Sequence, residues 1–121
     1  MSYWYMASPY SKHPFGLDAA HLRVCEQAAL LISNGIPVFS PIAHSHSIAL
    51  YGDLDPLDHD IWMLLARAMV DAAGGLIVLK LEGWSRSFGV AEEIEWFVEM
   101  NKPIVYMEPG EVPVILFQEG K

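Results

Sequence analysis

The sequence predicts a single-domain α/β fold on a parallel sheet of about five strands, and three observations carry that expectation. Short apolar runs alternate with amphipathic helical stretches, an order that implies right-handed crossovers between parallel strands. The run Leu76-Ile77-Val78-Leu79 is apolar without alternation, as befits a central strand covered on both faces. At 121 residues the chain has the size of one domain, so residues 1–121 are read as one unit.

Each element has a local reason. Residues 3–7 are aromatic-rich and end at Ser8-Pro9-Tyr10-Ser11, a strand breaking into a loop. Ala20, Val24, Ala28 and Leu31 recur at helical spacing from Leu17 onward, and Asn34-Gly35 supplies a left-handed stop. Residues 36–39 form a brief second strand with proline tolerated near its start, closed by Ser40-Pro41. The polar, histidine-bearing stretch 42–56 reads as a long loop with room for a helical turn, and such loops are often functional. Leu57, Ile61, Leu64, Leu65, Ala68 and Ala72 mark the next helix, which Gly74-Gly75 ends. After the central strand, Val90, Ile94, Phe97 and Val98 share one face of a further helix; residues 104–107 and 114–117 read as the last two strands. Ligands in parallel sheets bind at the carboxyl ends of strands, which selects the loops after Ala7, Phe39, Leu81 and Met107.

A net charge of −8 has the wrong sign for neutralising phosphates along a duplex, so no nucleic-acid partner is expected. Cys25 is the lone cysteine, which gives neither a disulfide framework nor a thiolate metal site. No apolar stretch approaches the ~18 residues of a spanning helix, and no leader pattern opens the chain. A cytoplasmic protein away from membranes is the expectation. His44 and His46 have no third or fourth ligand at recognisable spacing, so no metal is expected, and no cofactor is implied.

Chemistry is expected where segment 85–93 leaves the buried strand. Glu92, Glu95 and Glu99 fall opposite the apolar stripe of that helix, whereas Glu93 lies on its flank, within reach of a crevice. The helix N-terminus would keep Glu93 ionised, either merely complementing the dipole or serving as a nucleophile or general base. Ser87 reads as the N-cap, whose hydroxyl can also face a ligand. Gly83 and Gly89 suit an anion-cradling turn or simply a tight connection. Asp60, Arg67 and Asp71 share one flank of the preceding helix, so that a carboxylate reaches the same crevice or Arg67 and Asp71 form a surface pair. Trp84 and Trp96 read as packing residues.

The stretch Tyr5-Met6-Ala7-Ser8-Pro9-Tyr10-Ser11 and the stretch Gly83-Trp84-Ser85-Arg86-Ser87-Phe88-Gly89-Val90-Ala91-Glu92-Glu93-Ile94 carry a resemblance over nearly the whole chain. The sequence resembles the nucleoside 2-deoxyribosyltransferase and nucleotide N-glycosidase superfamily, and most closely its DUF1937 branch. The resemblance implies a five-stranded parallel sheet of flavodoxin-like or Rossmann-like type with helices on both faces. It also implies that Glu93 attacks the anomeric carbon of a nucleoside or nucleotide, giving retention through a glycosyl-enzyme ester. Ser87 matches a residue lining the sugar or 5′-phosphate site, and Ser8, Pro9, Tyr10, His44, Gly83, Ser85 and Gly89 join it as substrate-binding candidates. Relatives place a catalytic aspartate near Ala66 or Arg67; Asp71 or Asp60 substitutes here, or the function is absent. The basic residue that nucleotide-active relatives carry in the first loop is replaced by Tyr10, leaving Arg86 and Lys12 as candidates for phosphate. A homo-oligomer, at least a dimer, is expected, with Tyr106 or Phe117 bordering a partner's site.

The leading expectation is therefore an enzyme that cleaves or transfers an N-glycosidic bond of a nucleoside, nucleotide or related N-riboside. The alternatives are a non-catalytic module binding a nucleotide-like ligand, and an interaction subunit acting through dimer contacts.

Overall fold

Two of the apolar runs bury every residue, and the remaining architecture is arranged around them. The computed structural model describes residues 2–11 and 13–119. β1 (Trp4–Ala7) and β3 (Gly75–Leu79) are buried throughout and pair in parallel, Trp4 opposite Gly75 and Ala7 opposite Val78. Glycine opens β3 for a steric reason: a Cβ at Gly75 would lie 2.5 Å from the Trp4 ring. β2 (Val38–Phe39) adds to β1, and β4 (Ile104–Met107) adds to β3, in the parallel order β2-β1-β3-β4.

Side chains alternate across a strand, so the two central strands feed two separate cores. Trp4, Met6, Ile77 and Leu79 pack with Val24, Ala28 and Leu31 of α1 (Leu17–Ser33). Tyr5, Ala7, Leu76 and Val78 pack with Val70 of α3 (His59–Ala72) and with Val90 and Phe97 of α4 (Phe88–Glu99). Each fully buried large apolar side chain contributes roughly 1.5–3 kcal/mol. The left-handed stop expected after α1 is present at Gly35, with φ +80.

Two expectations are corrected. The stretch read as a long loop contains α2 (Pro41–Tyr51). Ser40 accepts a hydrogen bond from the Ala43 amide at 3.1 Å and Pro41 occupies the first turn, so Ser40-Pro41 starts a helix as well as ending a strand. The run read as a fifth strand is helical, α5 (Val114–Glu119), and the sheet has four strands among the described residues. A short apolar run fits either structure by composition. Here Pro113 precedes the turn, the Leu116 amide bonds the Pro113 carbonyl at 3.1 Å, and Leu116 enters the core beside Met107 while Val114, Ile115 and Phe117 stay exposed.

Candidate functional site

Connections from β1 run to β2 on one side, while β3 and β4 lie on the other. Such a reversal opens a crevice beyond the carboxyl ends of the two central strands. A cavity of about 290 Å³ lies there, close to the lower bound of the ~300–1,000 Å³ usual for small-ligand sites. Ser8 and Tyr10 line it from the loop after β1, and Phe39, Ile42, Ser45 and His46 from β2 and α2. Trp62, Met63 and Ala66 come from α3, and Ser87, Gly89, Glu92, Glu93 and Trp96 from α4 and its cap. The walls are largely apolar and aromatic, with polar groups converging from three strand ends.

Glu93 is half-buried in this cavity. It accepts a hydrogen bond from the Tyr5 hydroxyl, whose ring is fixed between Phe39 and Phe97 at centroid distances of 6.0 and 5.9 Å. Desolvation pushes the Glu93 carboxyl up from its ordinary 4.5 to about 7; the Tyr5 hydrogen bond opposes that rise and the neighbouring Glu92 charge adds to it. The expectation that the helix end keeps Glu93 ionised is thus corrected: Glu93 lies past the first turn of α4, which holds no acidic residue, and loss of water outweighs the Tyr5 donor. Burial, and then the Glu93 charge, also push the Tyr5 phenol upward.

Ser87 caps α4, its Oγ accepting from the Val90 amide at 3.3 Å, and it also lines the cavity. Ser8 is 6% exposed, lines the cavity, and its Oγ finds no partner among the described residues. A buried hydroxyl left without a partner costs about 1–3 kcal/mol, so a ligand that reaches it from the cavity is favoured. The Tyr10 hydroxyl is hydrogen-bonded with His46 Nδ1 at 2.6 Å, and His46 Nε2 lies 3.0 Å from Asp18 Oδ1.

The other candidates are distributed differently. Gly89 lines the cavity, whereas the buried Pro9 and Gly83 and the exposed Ser85 and Arg86 do not. Gly83 serves the turn between β3 and α4, with φ +94. His44 is exposed and its ring lies against Phe39 at 5.6 Å, outside the cavity. Asp60 and Asp71 are both exposed and neither lines the cavity; Asp71 pairs with Arg67 Nε at 3.2 Å, and Arg67 covers the Trp96 ring at 5.0 Å. Ala66 does line the cavity, so the position near which the resemblance implies an aspartate presents a methyl group. Trp84 packs on Tyr106 at 5.8 Å, and Tyr106 and Phe117 are partly exposed away from the cavity. Lys12 lies outside the described residues.

Sequence reasoning missed Tyr5, His46, Glu92 and Asp18. Once α2 is a helix, Ile42, Ser45 and His46 fall at i, i+3 and i+4 on one face, and His44 on another. Glu92, expected to face away, lines the cavity and sits 3.7 Å from His59.

Fold and site together define a parallel-sheet α/β protein with a carboxylate-bearing pocket at its strand ends. The chain belongs to the family described as Domain of unknown function (DUF1937), whose model matches residues 2–109. No curated protein matches it.

Proposed function

We propose that the protein cleaves or transfers the N-glycosidic bond of a nucleoside or related N-riboside, with Glu93 as nucleophile. The observation that carries the reading is the Glu93 carboxylate itself: it is held by Tyr5 in a largely apolar pocket, in the second turn of a helix whose cap, Ser87, lines the same space. The likeness to nucleoside 2-deoxyribosyltransferases, with their Rossmann-like sheets, supports it by analogy alone.

In this reading Glu93 attacks the anomeric carbon from the face opposite the base. The C–N bond breaks, its electron pair leaves with the base nitrogen, and that nitrogen takes a proton. Water or a second base then displaces Glu93, the ester electron pair returns to the carboxylate, and two inversions give net retention. Desolvation leaves Glu93 poorly solvated when ionised, which raises its reactivity towards an electron-poor carbon. Phe39, Trp62 and Trp96 supply flat apolar surface for a base.

Among the described residues the cavity lining holds no lysine or arginine, while Glu92 and Glu93 both contribute to it. We therefore favour an uncharged nucleoside over its 5′-phosphate. The test is incubation with paired nucleosides and nucleotides, followed by chromatography for released base. Release from nucleosides that is lost in Glu93→Gln supports the proposal; release of equal rate from that variant refutes it.

One observation favours a second reading. Neither Asp60 nor Asp71 lines the cavity, and a module that only binds its ligand needs no partner for Glu93. In that case a nucleoside raises the melting temperature with no base released.

A further inference from the structure

Asp18, His46 and Tyr10 come from three separate segments, α1, α2 and the loop after β1, and they meet in one chain of hydrogen bonds. A carboxylate only accepts, so the Asp18 contact at 3.0 Å fixes the proton of neutral His46 on Nε2 and leaves Nδ1 to accept from Tyr10 at 2.6 Å. The imidazole is held in plane by His21, stacked at 4.3 Å and 19°, and by the edge of the Tyr10 ring at 5.7 Å and 89°. The His46 side chain is 10% exposed, and both it and Tyr10 line the cavity that contains Glu93. The competing pair is looser: His59 lies 3.7 Å from Glu92 and its side chain is 54% exposed.

This arrangement switches the direction of one proton. When His46 is neutral, Tyr10 donates to it and offers only lone pairs to the cavity. When His46 carries a second proton, Nδ1 becomes a donor to the Tyr10 oxygen, and the phenolic proton is free to turn towards a ligand.

We propose that Tyr10, backed by His46 and oriented through Asp18, delivers the proton that the departing base needs, in place of the carboxylate missing at Ala66. The inference rests on the N-glycosidic reading. As the C–N bond breaks, the base nitrogen takes the Tyr10 proton, Tyr10 takes the proton from His46 Nδ1, and the imidazolium becomes neutral. When water displaces Glu93, its proton returns through Tyr10 to His46. Tyr10 touches the substrate; His46 and Asp18 are positioning residues. Asp18 is 93% exposed, so its part is orientation and its removal has a small effect.

The experiment compares kcat/KM for an uncharged purine nucleoside and for a pyridinium N-riboside, whose leaving group departs neutral and needs no proton. Because kcat/KM reads only as far as release of the base, return of the proton does not enter. In Tyr10→Phe and His46→Gln the ratio of pyridinium to purine rates should rise by about 10²-fold, the usual scale of a lost general acid, and in Asp18→Asn by about threefold. An unchanged ratio in the first two variants overturns the relay, even if both rates fall. A wild-type protein that cleaves only the pyridinium compound also overturns it while the N-glycosidic reading stands, and one that cleaves neither overturns both.

Discussion

Glu93→Gln should make the protein more stable at neutral pH, and the size of the gain follows from its burial. The folded carboxyl titrates at about 7 in place of its ordinary 4.5. The folded state therefore holds a proton that the unfolded chain has released between these two values. The contribution is fully present below 4.5 and is lost as pH rises through about 7, where the carboxylate must be ionised inside the cavity. The loss integrates to about 3 kcal/mol, from the conversion of ~1.4 kcal/mol per pKa unit. Glutamine has nearly the same shape, accepts the Tyr5 hydrogen bond through its amide oxygen, and carries no charge. The variant should thus exceed the wild type by about 3 kcal/mol at pH 8 and match it near pH 4, a melting difference of roughly 10 °C for a domain of this size. Thermal unfolding by circular dichroism across pH 4–9 measures it. Parallel curves for the two proteins would refute the argument, because they would mean that Glu93 ionises as freely folded as unfolded.

The same balance predicts how neighbours move the pH profile. If Glu93 must be ionised to attack, kcat/KM rises with pH along a limb centred near 7; Tyr5→Phe removes a contact that lowers the Glu93 pKa and moves the limb to higher pH, and Glu92→Gln removes a repulsion and moves it lower. Shifts of the same sign in both variants, read from pH–rate profiles, would contradict this. Ser8→Ala removes a buried hydroxyl without a partner, so the ligand-free protein should be unchanged or more stable by about 1 kcal/mol in urea unfolding while nucleoside binding weakens by about tenfold. A loss of stability would show instead that the hydroxyl is bonded in the free protein.

Local pattern alone determined the two central strands, because their runs are apolar on both faces: Met6 and Ala7, or Leu76 to Leu79, have no polar face to offer water, while the shorter, part-exposed β2 and β4 were legible from their apolar runs and flanking prolines. It also determined α1, α3 and α4 through spacing, and narrowed the pocket to the carboxyl ends of the strands, of which the segments after β1, β2 and β3, and not that after β4, contribute lining residues. Residues 114–117 were ambiguous for a physical reason: a four-residue apolar run lacks the length to display a period, and a helix buries Leu116 in the core while leaving Val114, Ile115 and Phe117 exposed. Ser40-Pro41 both ends β2 and caps α2, and the weak periodicity of residues 42–51 leaves the second role silent in the sequence. Tertiary structure decided the chemistry. Glu93 and Tyr5 are 88 positions apart, and Tyr10 and His46 are 36 apart. Spacing within one helix says nothing of such contacts, and the pKa of Glu93 follows from the water excluded by residues drawn from every part of the chain.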